Sequence, residues 1–123
     1  MMIDRLFEKV GGSEAIQDLV DRFYNRVLAD PRLAPFFPST DMNALRAKQV
    51  MFITMLLGTA HSYPGIDLRA AHAGARSNGM TDEHFDAVLA HFAAALQDLH
   101  VEEDYTRELL ARLESMRDAV LGR

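Results

Sequence analysis

One stretch of the chain constrains its fold more than any other, namely the residues between Gly11-Gly12 and Asp30-Pro31. Apolar side chains recur there at intervals of three and four residues, at Ile16, Leu19, Val20, Phe23, Val27 and Leu28. This spacing places them along one face of an α-helix, which has about 3.6 residues per turn. The glycine pair allows a sharp turn, and Pro31 cannot continue a helix. The stretch therefore predicts one long amphipathic helix that Ser13 caps.

Patterns with the same period continue through most of the chain. They predict further helices over residues 3–10, 41–57, 67–72, 81–99 and 102–121. Asp41, Asp67 and Thr81 stand at the starts of three of these helices and can cap them. Residues 31–40 carry three prolines around Phe36-Phe37, which predicts a tight corner holding two aromatic rings.

Composition supports an all-α fold. Ala and Leu together number 32, against 16 for Val, Ile and Thr, and this balance favours helices over strands. A length of 123 residues is close to the usual size of one domain. We therefore expect residues 1–123 to form one helical domain.

Charge and cysteine content exclude several classes of function. Acidic residues outnumber basic ones 18 to 13, and the basic residues are scattered, so we expect no nucleic-acid partner. The absence of cysteine excludes disulfides, Cys-ligated zinc and Cys nucleophiles, and it suits the cytoplasm. No apolar run approaches the ~18 residues of a membrane span, and the start lacks the apolar core of a signal peptide. We expect a cytoplasmic protein with no membrane partner.

The five histidines do not form a metal site on their own. No two have the i, i+4 spacing that lets one helix face hold an ion, and His84 and His91 lie two turns, about 10.5 Å, apart. By position alone, His72 is a half-exposed histidine on a short helix, and His91 is a hydrogen-bonded interior one. We expect the other three at the surface: His61, His84 and His100. Hydrolase, kinase and dinucleotide-binding motifs are also absent from the sequence.

Two polar residues interrupt the apolar stripes. Tyr24 lies beside Phe23 in the first long helix, and Gln49 lies between Leu45 and Phe52 in the next. Buried polar groups need hydrogen-bond partners. Tyr24 and Gln49 either bond to each other or to the backbone, which is the commoner arrangement, or they share a polar ligand. The residues alone leave both interpretations open.

Taken in order, these features resemble the group I truncated haemoglobins over nearly the whole chain. The opening of that family is similar to Gly11-Gly12, Asp21-Arg22-Phe23-Tyr24, Val27-Leu28-Ala29-Asp30-Pro31 and Phe36-Phe37. Its distal helix is similar to Asp41-Met42 followed by Leu45, Lys48, Gln49 and Phe52. The segment that bears the proximal iron ligand is similar to Leu68-Arg69-Ala70-Ala71-His72-Ala73, and the next helix to Asp82-Glu83-His84-Phe85-Asp86-Ala87-Val88.

The resemblance implies a globin-like fold, a two-over-two helical sandwich around a b-type haem. It implies that Nε2 of His72 is the axial iron ligand and that the opposite side of the iron is open to a small diatomic molecule. There the Tyr24 hydroxyl would donate a hydrogen bond to the ligand, and the Gln49 amide would donate to it or orient the tyrosine. Position 48 is Lys where some relatives supply a second His, which implies an open or weakly occupied sixth position.

The resemblance also assigns contacts to the haem. Phe37 would stack on the porphyrin, Leu45 would close the pocket, and Lys48 could extend to a propionate. The other apolar wall residues would be Phe52, Leu68, Phe85, Val88 and Leu113.

Three functions follow as alternatives. The first is reversible binding of O2, with NO or CO as further ligands. The second is a nitric oxide dioxygenase that uses the same pocket and requires an external reductase. The third is a helical interaction module that has no cofactor, and an absorption spectrum of haem-supplied protein separates it from the first two.

Overall fold

The structure, a computed structural model, describes residues 5–37, 41–57 and 72–123, and every regular element in these ranges is helical. In chain order the elements are α1 (Arg5–Val10), α2 (Gly12–Ala29), a 3-10 turn (Ala34–Phe36), α3 (Met42–Leu57), α4 (Ala73–Ser77), α5 (Asp82–Asp98), α6 (Glu103–Glu114) and α7 (Arg117–Val120). The all-α prediction is confirmed. The predicted helix over residues 67–72 lies outside the described residues except for His72.

The start of α2 differs from the prediction. Gly11 takes the N-cap position with φ 122°, and the helix begins at Gly12 rather than after Ser13. Ser13 makes no capping hydrogen bond, so its prediction as the cap was wrong. Glycine is required at this cap, because a φ of 122° strains residues with a side chain and a Cβ at position 11 would lie 2.7 Å from the Cβ of Ala15. The turn at Gly11 starts the helix two residues earlier than a cap at Ser13 would.

Two other predicted caps are confirmed. The Asp41 carboxylate accepts hydrogen bonds from the backbone N–H groups of Asn43 and Ala44, at 3.1 and 3.2 Å. At α5 the Thr81 N–H donates to Nδ1 of His84 at 2.9 Å. His84 is half-buried and also meets the ring of Phe36 edge-on, 5.1 Å between centroids. It is therefore a capping residue rather than the surface histidine we expected.

The C-terminal region is two helices, not the single predicted helix over 102–121. The break follows Glu114, where the Ser115 hydroxyl donates to the carbonyl of Arg112 at 2.6 Å. The next N–H, of Met116, donates to Leu113 three residues back rather than four. Serine side chains compete with the helix for such carbonyls, and this competition accounts for the break.

Helix α2 occupies the centre of the fold, and its most extensive contacts are with α3 and α5. Its apolar stripe is the predicted one except at Leu28, which is exposed, and Ile16 and Leu19 have no exposed surface. Phe23 stacks on Phe92 of α5, with centroids 3.9 Å apart and rings inclined by 14°. Tyr24 lies next to this stack on α2. It is close to Phe37 of the corner and to Arg46 of α3, so three segments meet around it.

Candidate functional site

Tyr24 is enclosed by aromatic rings and is only 4% exposed. Phe23 meets its ring edge-on at 4.8 Å, and Phe37 from the corner does so at 6.2 Å, both between centroids. No hydrogen bond joins its hydroxyl to any part of the chain that the structure describes. Burial raises the pKa of Tyr24 far above its usual value of 10, against a smaller opposing effect of the nearby positive charge of Arg46. The hydroxyl therefore keeps its proton and remains a donor.

Helix α3 packs against α2 and carries the other predicted pocket residues. Leu45 and Phe52 are half-buried and pack against the core, and Gln49 between them is half-buried as well. Within the described ranges, Gln49 has no hydrogen bond to Tyr24 or to any other group. Of the two arrangements that the sequence left open, the one in which these polar groups satisfy each other or bond to the backbone is absent from the described residues. Two polar groups near the core are thus available to a third partner.

The residues of the predicted proximal side lie on two neighbouring segments. His72 is half-buried at the N-cap of α4, and its carbonyl accepts a hydrogen bond from the N–H of Arg76 at 3.0 Å. Phe85, near the start of α5, is buried, and the guanidinium carbon of Arg117 lies 4.6 Å from its ring centroid. One turn further along α5, Val88 is half-buried against the core.

The remaining predicted contacts differ in their surroundings. Leu113 of α6 is buried within the core cluster, whereas Lys48 of α3 is exposed. Leu68 lies outside the described residues. An exposed lysine can reach a charged group at the rim of a pocket, because its charged end stays in water.

A saturated polar cluster follows the end of α2, and sequence reasoning found only part of it. Asp30 is 8% exposed, and among the described residues it is the only charged one that is buried. Its Oδ2 lies 2.8 Å from Nε2 of His91, and it accepts a hydrogen bond from Nη2 of Arg32 at 2.9 Å. The Arg32 backbone N–H and Nε donate to Oδ1 at 2.9 and 3.1 Å. Arg32, then His91, hold the pKa of Asp30 well below its usual range.

The prediction of His91 as a hydrogen-bonded interior histidine is confirmed, but Asp30 was predicted only as a helix terminator. The Asp-Pro-Arg order is a local signal for the turn that joins Asp30 to Arg32. No local signal connects either residue to position 91, which is 61 residues away from Asp30.

Arg46 is a further residue that sequence reasoning missed. It extends from α3 to α2, where Nε lies 3.4 Å from a carboxylate oxygen of Asp21 and Nη2 donates to Oδ1 of Asn25 at 3.4 Å. The sequence offers one clue to Arg46, which is its position on α3 three residues before Gln49. That position alone does not predict a contact with α2.

In the ranges 5–37, 41–57 and 72–123, no three His, Asp or Glu side chains come together as metal ligands. The same ranges contain no helix with the length and apolar character that crossing a membrane requires.

Comparison with known proteins places this arrangement in a family. The family model described as bacterial-like globin matches residues 5–122. The chain is 42% identical over 107 residues to the group 1 truncated haemoglobin of a Synechocystis species, covering 86% of each protein. It is 39% identical over 108 residues to that of Mycolicibacterium paratuberculosis, covering 88% of this chain and 77% of that one.

Solved structures agree with this result. The 2/2 haemoglobin from a Synechococcus species, in its cyanomet state with covalently attached haem, superposes with a TM-score of 0.88 at 38% identity. The match covers 96% of this chain and 98% of that chain. The truncated haemoglobin from Tetrahymena pyriformis gives a TM-score of 0.85 at 38% identity, with the same coverage.

The fold is therefore the two-over-two helical sandwich of the truncated globins, as the sequence predicted. The chain belongs to the truncated haemoglobin family, in its group 1. Membership makes it a haem-binding globin whose ligands are small gases.

Proposed function

We propose that this chain binds oxygen reversibly at a b-type haem that His72 holds, and that residues 1–123 act as one globin domain. The observation that carries the proposal is the Tyr24 side chain, which is only 4% exposed among aromatic rings and whose hydroxyl has no partner in the described part of the chain. A hydrogen bond from this donor to a polarised ligand is worth about 1–3 kcal/mol.

The residues present fit a haem. His72 provides an imidazole, the family's type of axial ligand, at the start of α4, where Ala73 and Gly74 are small neighbours. Apolar side chains that could line the two sides of a flat, mostly apolar ring come from the corner, α3, α5 and α6. They are Phe37, Leu45, Phe52, Phe85, Val88 and Leu113, to which the proposal adds Leu68. Lys48 is exposed and can pair with a propionate at the rim.

When bound, the haem iron supplies reversible binding of a diatomic gas. The chain supplies the selectivity. Tyr24 offers an O–H donor that burial keeps protonated, and Gln49 offers an amide N–H from the opposite helix. Both donors act in a low-dielectric setting, where a hydrogen bond to a polarised ligand is stronger than in water. Hydrogen-bond donors stabilise the more polar of two bound gases, so Tyr24 and Gln49 would favour oxygen over carbon monoxide. A cytoplasmic location is part of the proposal.

The test is an absorption spectrum of the recombinant chain supplied with haem. We expect an intense Soret band in the wild type, and its loss or strong reduction in His72→Ala. The matched control is His100→Asn, because His100 is exposed, has φ 60°, and asparagine tolerates that conformation. A colourless wild type, or an equal Soret band in His72→Ala, overturns the proposal.

The same preparation distinguishes reversible binding from the dioxygenase that the sequence left as an alternative. Oxygen-loaded protein is mixed with NO in the presence and absence of a reductase. Repeated conversion of NO to nitrate with the reductase present supports the enzyme, whereas one equivalent of nitrate per haem supports an oxygen-binding protein.

A further inference from the structure

Arg46 connects the two helices that carry the polar pocket residues. It lies on α3, one residue after Leu45 and three before Gln49. Its guanidinium contacts two residues of α2, through the 3.4 Å ion pair of Nε with Asp21 and the 3.4 Å hydrogen bond from Nη2 to Asn25. Residues three and four apart share a helix face, so Asp21 and Asn25 form one patch of α2 that borders Tyr24.

The arrangement of Arg46 is not explained by stability. Its side chain is 26% exposed, yet Nε is shielded from solvent and has no hydrogen bond within the described residues. A buried donor without a hydrogen bond lowers stability. The ion pair adds little stability, because Asp21 is 63% exposed and solvent screens pairs of exposed charges. A methionine here would retain most of the packing without the unsatisfied donor.

The charge of Arg46 reaches the pocket. It lowers the pKa of Tyr24 against the larger effect of burial, so the guanidinium lies within electrostatic range of the phenol. The same side chain therefore contacts Asp21, three residues before Tyr24, and Asn25, one residue after it, and lies on the helix that carries Gln49.

We propose that Arg46 is a positioning residue of the ligand pocket: by joining α3 to α2 beside Tyr24, it sets the separation between the Tyr24 hydroxyl and the Gln49 amide. The inference rests on the proposed function. It predicts that loss of Arg46 changes the rate of ligand release more than it changes the stability of the fold. It also predicts that this change in rate depends on the Tyr24 hydroxyl.

The first experiment is a double-mutant cycle on the haem-loaded protein, with the oxygen dissociation rate as the readout. We expect Arg46→Met to speed release about three- to tenfold, and to add less than about twofold in a Tyr24→Phe background. The matched control is Arg26→Met, since Arg26 makes a 2.8 Å interhelical ion pair from α2 to Asp98 at the end of α5. That variant should change the rate less than about twofold. Equal effects of the two arginine variants, or fully additive effects of Arg46→Met and Tyr24→Phe, overturn the inference.

A second variant separates geometry from charge. Arg46→Lys keeps the positive charge, but a lysine ammonium cannot reproduce the two-point contact of a guanidinium. We expect it to release oxygen almost as fast as Arg46→Met. Wild-type rates in Arg46→Lys mean that charge alone acts, and they overturn the positioning role.

A spectroscopic measurement tests the contact without ligand turnover. In 15N NMR spectra of the haem-loaded protein, the Nε–H of Arg46 should exchange with water more slowly than those of exposed arginines, because that atom is shielded. The resonance is assigned by its loss in Arg46→Met. Fast exchange at this position overturns the inference. If instead Tyr24→Phe leaves oxygen release unchanged, the proposed function of the pocket fails, independently of this contact.

Discussion

Two buried polar sites lie six residues apart on the same helix and its C-cap, and they differ in one respect. The Asp30 carboxylate has partners on both oxygens, from Arg32 and His91, whereas the Tyr24 hydroxyl has none in the described part of the chain. Both residues are buried. Partners on both oxygens fix the Asp30 carboxylate in one structure, whereas the Tyr24 hydroxyl is the donor that we propose for a ligand. Three experiments test this difference.

The largest effect is expected at the satisfied site. His91→Ala removes a partner of Asp30 and leaves a buried carboxylate with one fewer donor, so the free energy of unfolding should fall by about 2–4 kcal/mol. Urea unfolding of the haem-loaded protein measures it. The oxygen dissociation rate should change little. His91→Gln, which keeps an N–H donor, serves as the control and should lose less stability than His91→Ala. A faster oxygen release without a loss of stability would contradict a structural role for this site.

The opposite result is expected at the unsatisfied site. Tyr24→Phe should speed oxygen release about 5- to 150-fold, which corresponds to the loss of a donor worth about 1–3 kcal/mol. The unfolding free energy of the protein without gas should stay within about 0.5 kcal/mol of wild type, because the lost hydroxyl has no partner there. Burial keeps the pKa of Tyr24 above its usual value of 10, so the rate ratio should be constant from about pH 6 to about pH 9. A ratio that falls toward one within this range rejects the protonated donor.

The smallest effect is expected from Asp30→Asn, which keeps an acceptor oxygen but removes the charge. The pKa of Asp30 is held below its ordinary value of 3.8, so its contribution to stability is fully present above that value. It is lost as the pH falls from there toward the depressed pKa of the folded state. Wild type should therefore exceed Asp30→Asn in stability by a constant amount from about pH 7 to about pH 5, and the difference should narrow below about pH 4. Unfolding curves across this series measure it, and a difference that grows in acid would mean that Asp30 is not charged in the folded protein.

Local rules explain what could be predicted from the sequence. The stripe of α2, the Asp41 and Thr81 caps and the aromatic corner each depend on residues a few positions apart, and all three are present. The errors were also local, because the turn at Gly11 starts α2 two residues before the position that a Ser13 cap predicts, and a hydrogen bond of Ser115 accompanies the end of α6.

The polar contacts of the site could not be predicted in this way. The Asp30–His91 pair spans 61 residues, and the contact from Arg46 to Asn25 spans 21. Such contacts depend on how the helices pack against each other, and the spacing of residues along the chain does not predict that packing. The resemblance to a known family supplied Tyr24, Gln49 and His72 as candidates because it carries a three-dimensional arrangement along with the residues. Their roles toward a haem stay predictions.

The stack of Phe23 on Phe92 has a consequence for how this protein can change over evolution. Phe23 belongs to the core and Tyr24 to the proposed pocket, so on the proposed function a mutation that turns or shifts α2 would alter folding and gas binding together. Positions 45, 49 and 52 of helix α3 are only half-buried, so substitutions there would disturb the core less. Gas affinity is therefore easier to change through substitutions in α3. A substitution in α2 has to preserve both the packing of the core and the position of Tyr24.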